Sequence, residues 1–449
     1  MELASLKARG VASPARGIGR SVGGMFLIAC LILLCGAHLL AWVISVQANG
    51  GLERYARGID FTATLTGARA IADGRGADLY DLEEQREAQN AVLQPYNTLR
   101  EGSLLPYIHP PFEAVIYAPF MHLPYGTLYL AWTAAAILAV AGALWIMRAA
   151  SPIDGRAGWL LLLAICSFSP LFQGFWLGQS AAFLLLGLCG AYVAVKHERP
   201  WLAGAALALL ALKPQLLLVF GLVLLLQRRW RPLFACAAIL AAASAATALV
   251  LGPLWPLKYA RFLAGIGHWT GDTNEYPQIM YNWRGLAFNL LGTADPGRIG
   301  LPVALLTVAT VGALVWAWWR LRGIERDRAD DILWMLAVPV AILVAPHLYI
   351  HDLTILILPA WIAVRLIGER VWAGWSSHAW LALLWLGYLL AFSSLFRVEN
   401  HPEWPTVPGI LVMLAFVGLL VWRANVEAAA APPAQRSERT TRVVATLGQ

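Results

Sequence analysis

Asp60 opens a run, Phe61, Leu65, Ala68 and Ala72, whose apolar residues recur at helical spacing. An aspartate just ahead of a helix can cap its free N–H groups. One that faces a cavity at the level of lipid headgroups can act as a general base. Both readings stay open on sequence alone. Downstream, Tyr107-Ile108-His109-Pro110-Pro111-Phe112-Glu113 leads into an apolar stretch at 114–123. That stretch is too short to cross a bilayer, and Pro-Pro suits a helix entry, so a re-entrant or interfacial helix is expected. A carboxylate at membrane depth costs about 2.5–3.5 kcal/mol on insertion scales. Glu113 is therefore expected to face a polar cavity with His109, unless it reaches interfacial water. Asp78 and Asp81 flank Leu79-Tyr80 and read as loop residues.

Lys213-Pro214-Gln215 interrupts an apolar stretch at 200–227 whose flanks, Arg199 and Arg228, must lie on one side of the membrane. Two short helices meeting at the proline satisfy that constraint. An ammonium at such a break either binds an anion, such as a lipid phosphate, or snorkels to the headgroups. Gly178-Gln179-Ser180 is a tight turn that puts an amide beside the same cavity, or simply joins two helices. The residues His268, Trp269, Asp272, Glu275, Tyr281, Asn282, Trp283 and Arg284 share a second long loop. An arginine among aromatics can clamp a phosphate bidentately while the rings stack on sugar faces; an interfacial aromatic belt is the alternative. In Pro346-His347-Leu348-Tyr349-Ile350-His351-Asp352, two histidines stand four apart with an aspartate beside the second. If helical they could bind a metal, but no third ligand is obvious. Hydrogen bonding to a phosphate or hydroxyl is the preferred reading, and no cofactor is assigned.

These groups are set in a chain that is 59% hydrophobic and 13% charged, against the 45–50% apolar and 25% charged content usual of soluble domains. Apolar segments at 25–47, 127–148, 157–177, 180–196, 200–212, 214–227, 231–252, 299–319, 331–346, 351–367, 378–396 and 406–423 predict an all-α polytopic membrane protein of about 12 transmembrane helices. Lys and Arg concentrate in the short loops that share a side with the N-terminus, which predicts both termini in the cytoplasm and multi-pass insertion in the cytoplasmic membrane. The net charge of +7 thus reports topology, and nucleic acid is not expected as a partner. The basic N-terminus followed by 25–47 reads as an uncleaved first span. The five cysteines all sit in apolar runs, as small core residues do. The expected organisation is a cytoplasmic tail at 1–24, a membrane domain at 25–424 with extracytoplasmic loops at 48–126 and 253–298, and a disordered Ala/Pro/Arg/Thr-rich tail at 425–449. No internal repeat is seen, which weighs against a repeat-built transporter.

The order of these pieces resembles glycosyltransferase family 87, within the GT-C superfamily. The resemblance is carried by Asp60-Phe61 with Gly67, Ala72 and Gly74; Leu79-Tyr80-Asp81; His109-Pro110-Pro111 with Pro119; Gly178-Gln179-Ser180; Lys213-Pro214; and Arg229-Trp230-Arg231. It covers roughly residues 25–370, and the family's histidine-bearing segment matches His347 to Asp352, whereas Arg284 rests on chemistry alone. The resemblance implies a GT-C-like bundle with interfacial helices in the first loop. It also implies transfer of a hexose, mannose favoured, from a polyprenyl-phosphate-sugar to a lipid or glycan acceptor on the outer membrane face, among membrane lipids. Asp60 occupies the position of the acceptor-activating acid. An inverting mechanism is expected, with Asp60 as base, Lys213, Arg284 and His347 on the donor phosphate, and His109, Glu113, Gln179, His351 and Asp352 lining the cavity. The rival reading is a transporter or flippase of a lipid-linked sugar.

Overall fold

A computed structural model describes residues 22–96, 104–153, 155–265, 276–372, 374–393 and 405–430. His268, Trp269, Asp272 and Glu275, and most of both tails, lie outside the described residues. The first span is α1 (Val22–Ala48). The loop after it holds α2 (Leu52–Ala56), α3 (Phe61–Ala72), α4 (Leu82–Leu93) and α5 (Phe112–Tyr117). Next come α6 (Tyr125–Ala150), α7 (Gly155–Cys166), α8 (Ser169–Leu177), α9 (Ala181–Lys196), α10 (Pro200–Ala208), α11 (Pro214–Leu226) and α12 (Trp230–Leu251). The second loop carries α13 (Trp255–Gly265) and α14 (Trp283–Leu291). The chain closes with α15 (Pro296–Leu321), α16 (Arg326–Val344), α17 (Ile357–Gly368), α18 (Trp375–Ser393) and α19 (Thr406–Ala430).

Eight of these helical segments are long and apolar enough to cross a membrane, counting α7–α8 as one, and three shorter apolar ones cover 181–196, 200–212 and 214–226. The fold is thus an all-α, multi-pass membrane bundle. Its outer helices expose leucine, isoleucine and tryptophan, as Leu33, Leu138, Trp145, Leu249 and Val308 show. Such a surface suits lipid, where a helix satisfies its own backbone groups. The centre is α16, whose residues Ile332 to Leu343 are almost entirely enclosed. It packs against α9, α11, α15, α17 and α19. The final helix runs on to Ala430, past the 424 boundary that hydropathy suggests.

The first loop folds as several short helices packed on two apolar clusters. Phe61, Leu65, Tyr117, Tyr125 and Tyr129 form one apolar cluster, and Ile71, Leu79, Tyr107 and Trp255 form another. Two buried amides tie its extended segment down. Gln85 accepts from the Tyr107 N–H at 2.7 Å and donates to the Leu79 carbonyl at 2.8 Å, while Gln89 accepts from the Leu105 N–H at 2.8 Å. Glu53 accepts from the backbone N–H groups of Tyr125 and Gly126, so this loop also caps α6. The expected short helix near 114–123 is present as α5 followed by a 3-10 turn at Ala118–Phe120.

Candidate functional site

Asp60 stands at the position before α3, but its side chain makes no capping hydrogen bond. Instead its carboxylate accepts from Gln179 Nε2 at 2.9 Å, across 119 residues of sequence. The α8–α9 turn makes this contact possible. Gly178 has φ of 70°, a left-handed conformation that glycine adopts without strain, and a Cβ there would lie 2.7 Å from Phe61. The absence of that carbon lets the turn sit directly on the residue after Asp60. Tyr55 and Tyr129 donate to the Trp176 and Phe175 carbonyls at 3.0 Å each and hold the end of α8 in place. Asp60 is enclosed by protein yet keeps some accessible surface.

Lys213 sits at the break between the 3-10 turn Leu209–Leu212 and α11. Its ammonium reaches Asp352 Oδ1 at 2.5 Å, and both side chains are buried. The break expected at Lys213-Pro214 is therefore present, and the lysine turns inward to a carboxylate rather than snorkelling. Asp352 belongs to a 3-10 segment, Ile350–Leu356, which packs against α8, α9 and α16. Its other oxygen accepts from the Tyr349 N–H at 3.3 Å and lies 3.5 Å from His351 Nε2. His347 precedes this segment, in the turn after α16, and Gln215 donates to its carbonyl at 3.4 Å. The two histidines thus do not share one α-helical face. Among the described residues, no group of three His, Cys, Asp or Glu side chains is arranged to hold a metal ion.

His109 and Glu113 pair at 2.9 Å between Nδ1 and Oε2, one turn apart. Glu113 is buried, and its second oxygen has no hydrogen-bond partner. Tyr80 and Tyr259 donate to the carbonyls of His109 and Ile108, and Tyr107 donates to that of Pro110 at 2.6 Å. Gly67 lets α3 approach the Tyr107 ring, which a Cβ would meet at 2.9 Å. Tyr107 acts within its own motif, whereas Tyr80 and Tyr259 reach the turn from 29 and 151 residues away, which no local pattern reveals.

Burial pushes the Asp60 carboxyl above its usual range. The Gln179 hydrogen bond and the fields of Lys213, His347 and His109 oppose that shift. Those three groups therefore lie near enough to act electrostatically on the carboxylate. Arg284 does not join the charges that weigh most on Asp60. It lies in α14, which packs on α15 and α19. Among the described residues, Gln179 Oε1, Ser180 Oγ and His351 Nδ1 are buried without a hydrogen-bond partner. A carboxylate of raised proton affinity beside clustered cations suits proton abstraction next to a developing anion.

Residues 107–346 match glycosyltransferase family 87. Asp60 and the segment His347 to Asp352 lie outside that range. The chain is 28% identical over 400 residues to a polyprenol-phosphate-mannose-dependent alpha-(1-2)-phosphatidylinositol pentamannoside mannosyltransferase of Mycolicibacterium smegmatis, covering 86% of this chain and 88% of that protein. A protein of the same description from Mycobacterium tuberculosis is 27% identical over 336 residues, or 72% and 74% of the two chains. No solved structure matches significantly. The chain belongs to glycosyltransferase family 87, and it is a membrane-embedded glycosyltransferase.

Proposed function

We propose that this member of glycosyltransferase family 87 transfers mannose from a polyprenyl-phosphate-mannose to a hydroxyl of a lipid or glycan acceptor, with inversion, at the outer face of the cytoplasmic membrane. The observation that carries the reading is the enclosed Asp60 carboxylate, held by Gln179 across 119 residues and within the electrostatic reach of Lys213, His347 and His109. Similarity to the two mycobacterial mannosyltransferases supports the donor. The bias of Lys and Arg toward the N-terminal side supports cytoplasmic termini and an outward-facing site.

Asp60 takes the proton from the acceptor hydroxyl as its oxygen bonds to the anomeric carbon. The bond from that carbon to the phosphate oxygen breaks, and its electron pair leaves with the polyprenyl phosphate. Charge of oxocarbenium type develops on the sugar, as in glycoside hydrolysis. The leaving phosphate gains negative charge, which Lys213, His347 and His109 are placed to stabilise. Lys213 gives one hydrogen bond to Asp352, and an ammonium has three donors, so two remain for phosphate oxygens. Phosphate leaves without a general acid. His351, Asp352, Gln179, Glu113 and the unpartnered Ser180 hydroxyl line the sugar's surroundings. Arg284 has no part in this reading. An apolar groove of about 450 Å³ includes Leu353, Leu356 and Ile357, from the stretch that begins with His351 and Asp352, and suits the isoprenoid chain. Residues 25–424 act as one catalytic unit.

The test is sugar transfer by purified protein in detergent, with polyprenyl-phosphate-mannose as donor. Asp60→Asn is expected to lower transfer by about 10²–10⁴-fold while the protein stays monodisperse. Full transfer by that variant would remove Asp60 as the base.

A further inference from the structure

Four elements bring the site residues together, and each carries a second polar group at its far end. The α8–α9 turn holds Gln179, and α9 ends in Tyr192 and Lys196. Lys213 starts α11; Gln227 ends it, with Arg229 just beyond. His347 follows the end of α16, whose first turns hold Asp330 and Asp331. His351 and Asp352 start the segment leading into α17, which carries Arg365. At 1.5 Å per residue, α9 alone separates its two ends by about 24 Å.

The far ends meet. Asp331 accepts from Tyr192 at 2.5 Å, from Lys196 at 2.6 Å and from Arg365. Asp330 accepts from Gln227 at 2.7 Å and from Arg229 at 2.6 Å. Arg229 also donates to the Val195 carbonyl in α9 at 3.0 Å. The two aspartates are only 2% and 4% exposed. Buried ion pairs are a poor source of net stability, since well-packed apolar residues often do as well or better. What they supply is direction. Apolar ridges tolerate a helix sliding or turning slightly, whereas these short hydrogen bonds do not. A one-residue slip of α9 moves Gln179 by about 1.5 Å, and misplacement of about 1 Å can cost 10²-fold in rate.

We propose that Asp330 and Asp331 are positioning residues for the transfer site: they lock the axial register of α9, α11, α16 and α17, so that Gln179 meets the Asp60 carboxylate and Lys213 meets Asp352. This rests on the reading of that cluster as the transfer site. Purified Asp331→Asn should lose about tenfold or more in kcat, with donor KM within about threefold, because the phosphate groups remain while the reacting geometry loosens. Its structure by electron cryo-microscopy should show Gln179 beyond hydrogen-bond distance of Asp60. Arg229→Asp and Asp330→Arg should each lose activity, and the two together should regain it to within about threefold of the parent. If Asp331→Asn does not fold, Asp331→Glu, which keeps the charge but moves the carboxylate out by one methylene against all three partners, carries the same two measurements. A folded variant with parental kcat and an intact Gln179–Asp60 contact overturns the proposal, as does a folded Arg229/Asp330 exchange that restores nothing. The geometric readout does not depend on Asp60 being the base, so the two assignments fail separately.

Discussion

Two groups of buried charges sit at opposite ends of the same helices, and they are completed differently. Around Asp330 and Asp331, all four carboxylate oxygens accept hydrogen bonds from cations, an amide or a hydroxyl. Around Asp60, among the described residues, one hydrogen bond reaches the carboxylate. Glu113 Oε1, Gln179 Oε1, Ser180 Oγ and His351 Nδ1 are left without protein partners. Unpartnered buried atoms occur in both places, since Gln227 Oε1, Arg229 Nε and Arg365 Nε of the far cluster also lack partners, so what separates the two is the carboxylates: those of Asp330 and Asp331 are fully engaged, and that of Asp60 is not. The fold engages every carboxylate oxygen of one cluster; in the proposed reading, the acceptor hydroxyl engages Asp60 in the other. The same chemistry of carboxylate and cation thus serves registration at one end and reaction at the other.

The sharpest way to break this contrast is Asp60→Asn. Loss of a general base should lower kcat by about 10²–10⁴-fold, read by transfer assay. Thermal stability should not fall. Because the folded carboxyl has a raised proton affinity, its ionisation opposes folding; that penalty begins above the unfolded value of about 3.9 and is complete above the folded value. Neutral asparagine escapes it, so the melting temperature near neutral pH should hold or rise. A melting temperature that fell sharply would make Asp60 a structural residue, like those of the opposite cluster.

Lys213→Met should come next. It strands Asp352 in the interior, and breaking a buried pair costs about 3–5 kcal/mol, which denaturation of the purified protein would register. Lys213→Met with Asp352→Asn should recover most of that stability and none of the activity. Recovery of activity as well would deny Lys213 a role with the donor.

Gln179→Ala removes a hydrogen bond to a charged group, worth about 1.5–3 kcal/mol. Since that bond lowers the Asp60 pKa, its loss should shift the acid limb of the pH–rate profile upward. The base must be ionised to act, so activity rises with pH through that limb. In the parent enzyme the limb should already lie above the usual carboxylate range. An unmoved limb in Gln179→Ala would separate the amide from the base. The smallest effect is expected at the other end. Tyr192→Phe leaves Asp331 with Lys196 and Arg365, and should cost about 1 kcal/mol of stability with kcat nearly unchanged.

Much of the bundle was legible in the sequence because lipid leaves an apolar span few options but to be helical. The break at Lys213-Pro214 was equally legible, since proline and a parity of flanking charges both demanded it. The helix after Asp60 showed in its spacing, and starts where that spacing predicts. Other features were hidden. The apolar run at 157–177 is two helices, α7 and α8, parted at Ser167 and Phe168. The two ends of α16 look like loop charge and span in sequence; their burial in the centre of the bundle depends on five neighbouring helices.

What the sequence by itself determined was a set of helices, their breaks, and an ordered list of reactive groups. Asp60, Gln179, Lys213 and Asp352 were all on that list, because a carboxylate, amide or ammonium in apolar surroundings is conspicuous wherever it falls. Which of them meet was decided only by the tertiary structure. Lys213 and Asp352 are 139 residues apart, Asp60 and Gln179 119 apart, and no local pattern encodes either pairing. Arg284, as plausible a phosphate clamp in sequence, lies in the first turn of a helix whose preceding residues Tyr281 and Asn282 are bonded to Leu348 and Ala345 on either side of His347, a placement no local pattern foretells. Local chemistry is written in residue type, whereas a site is made by long-range packing, here through a glycine at 178 and a register set at the far end of the bundle.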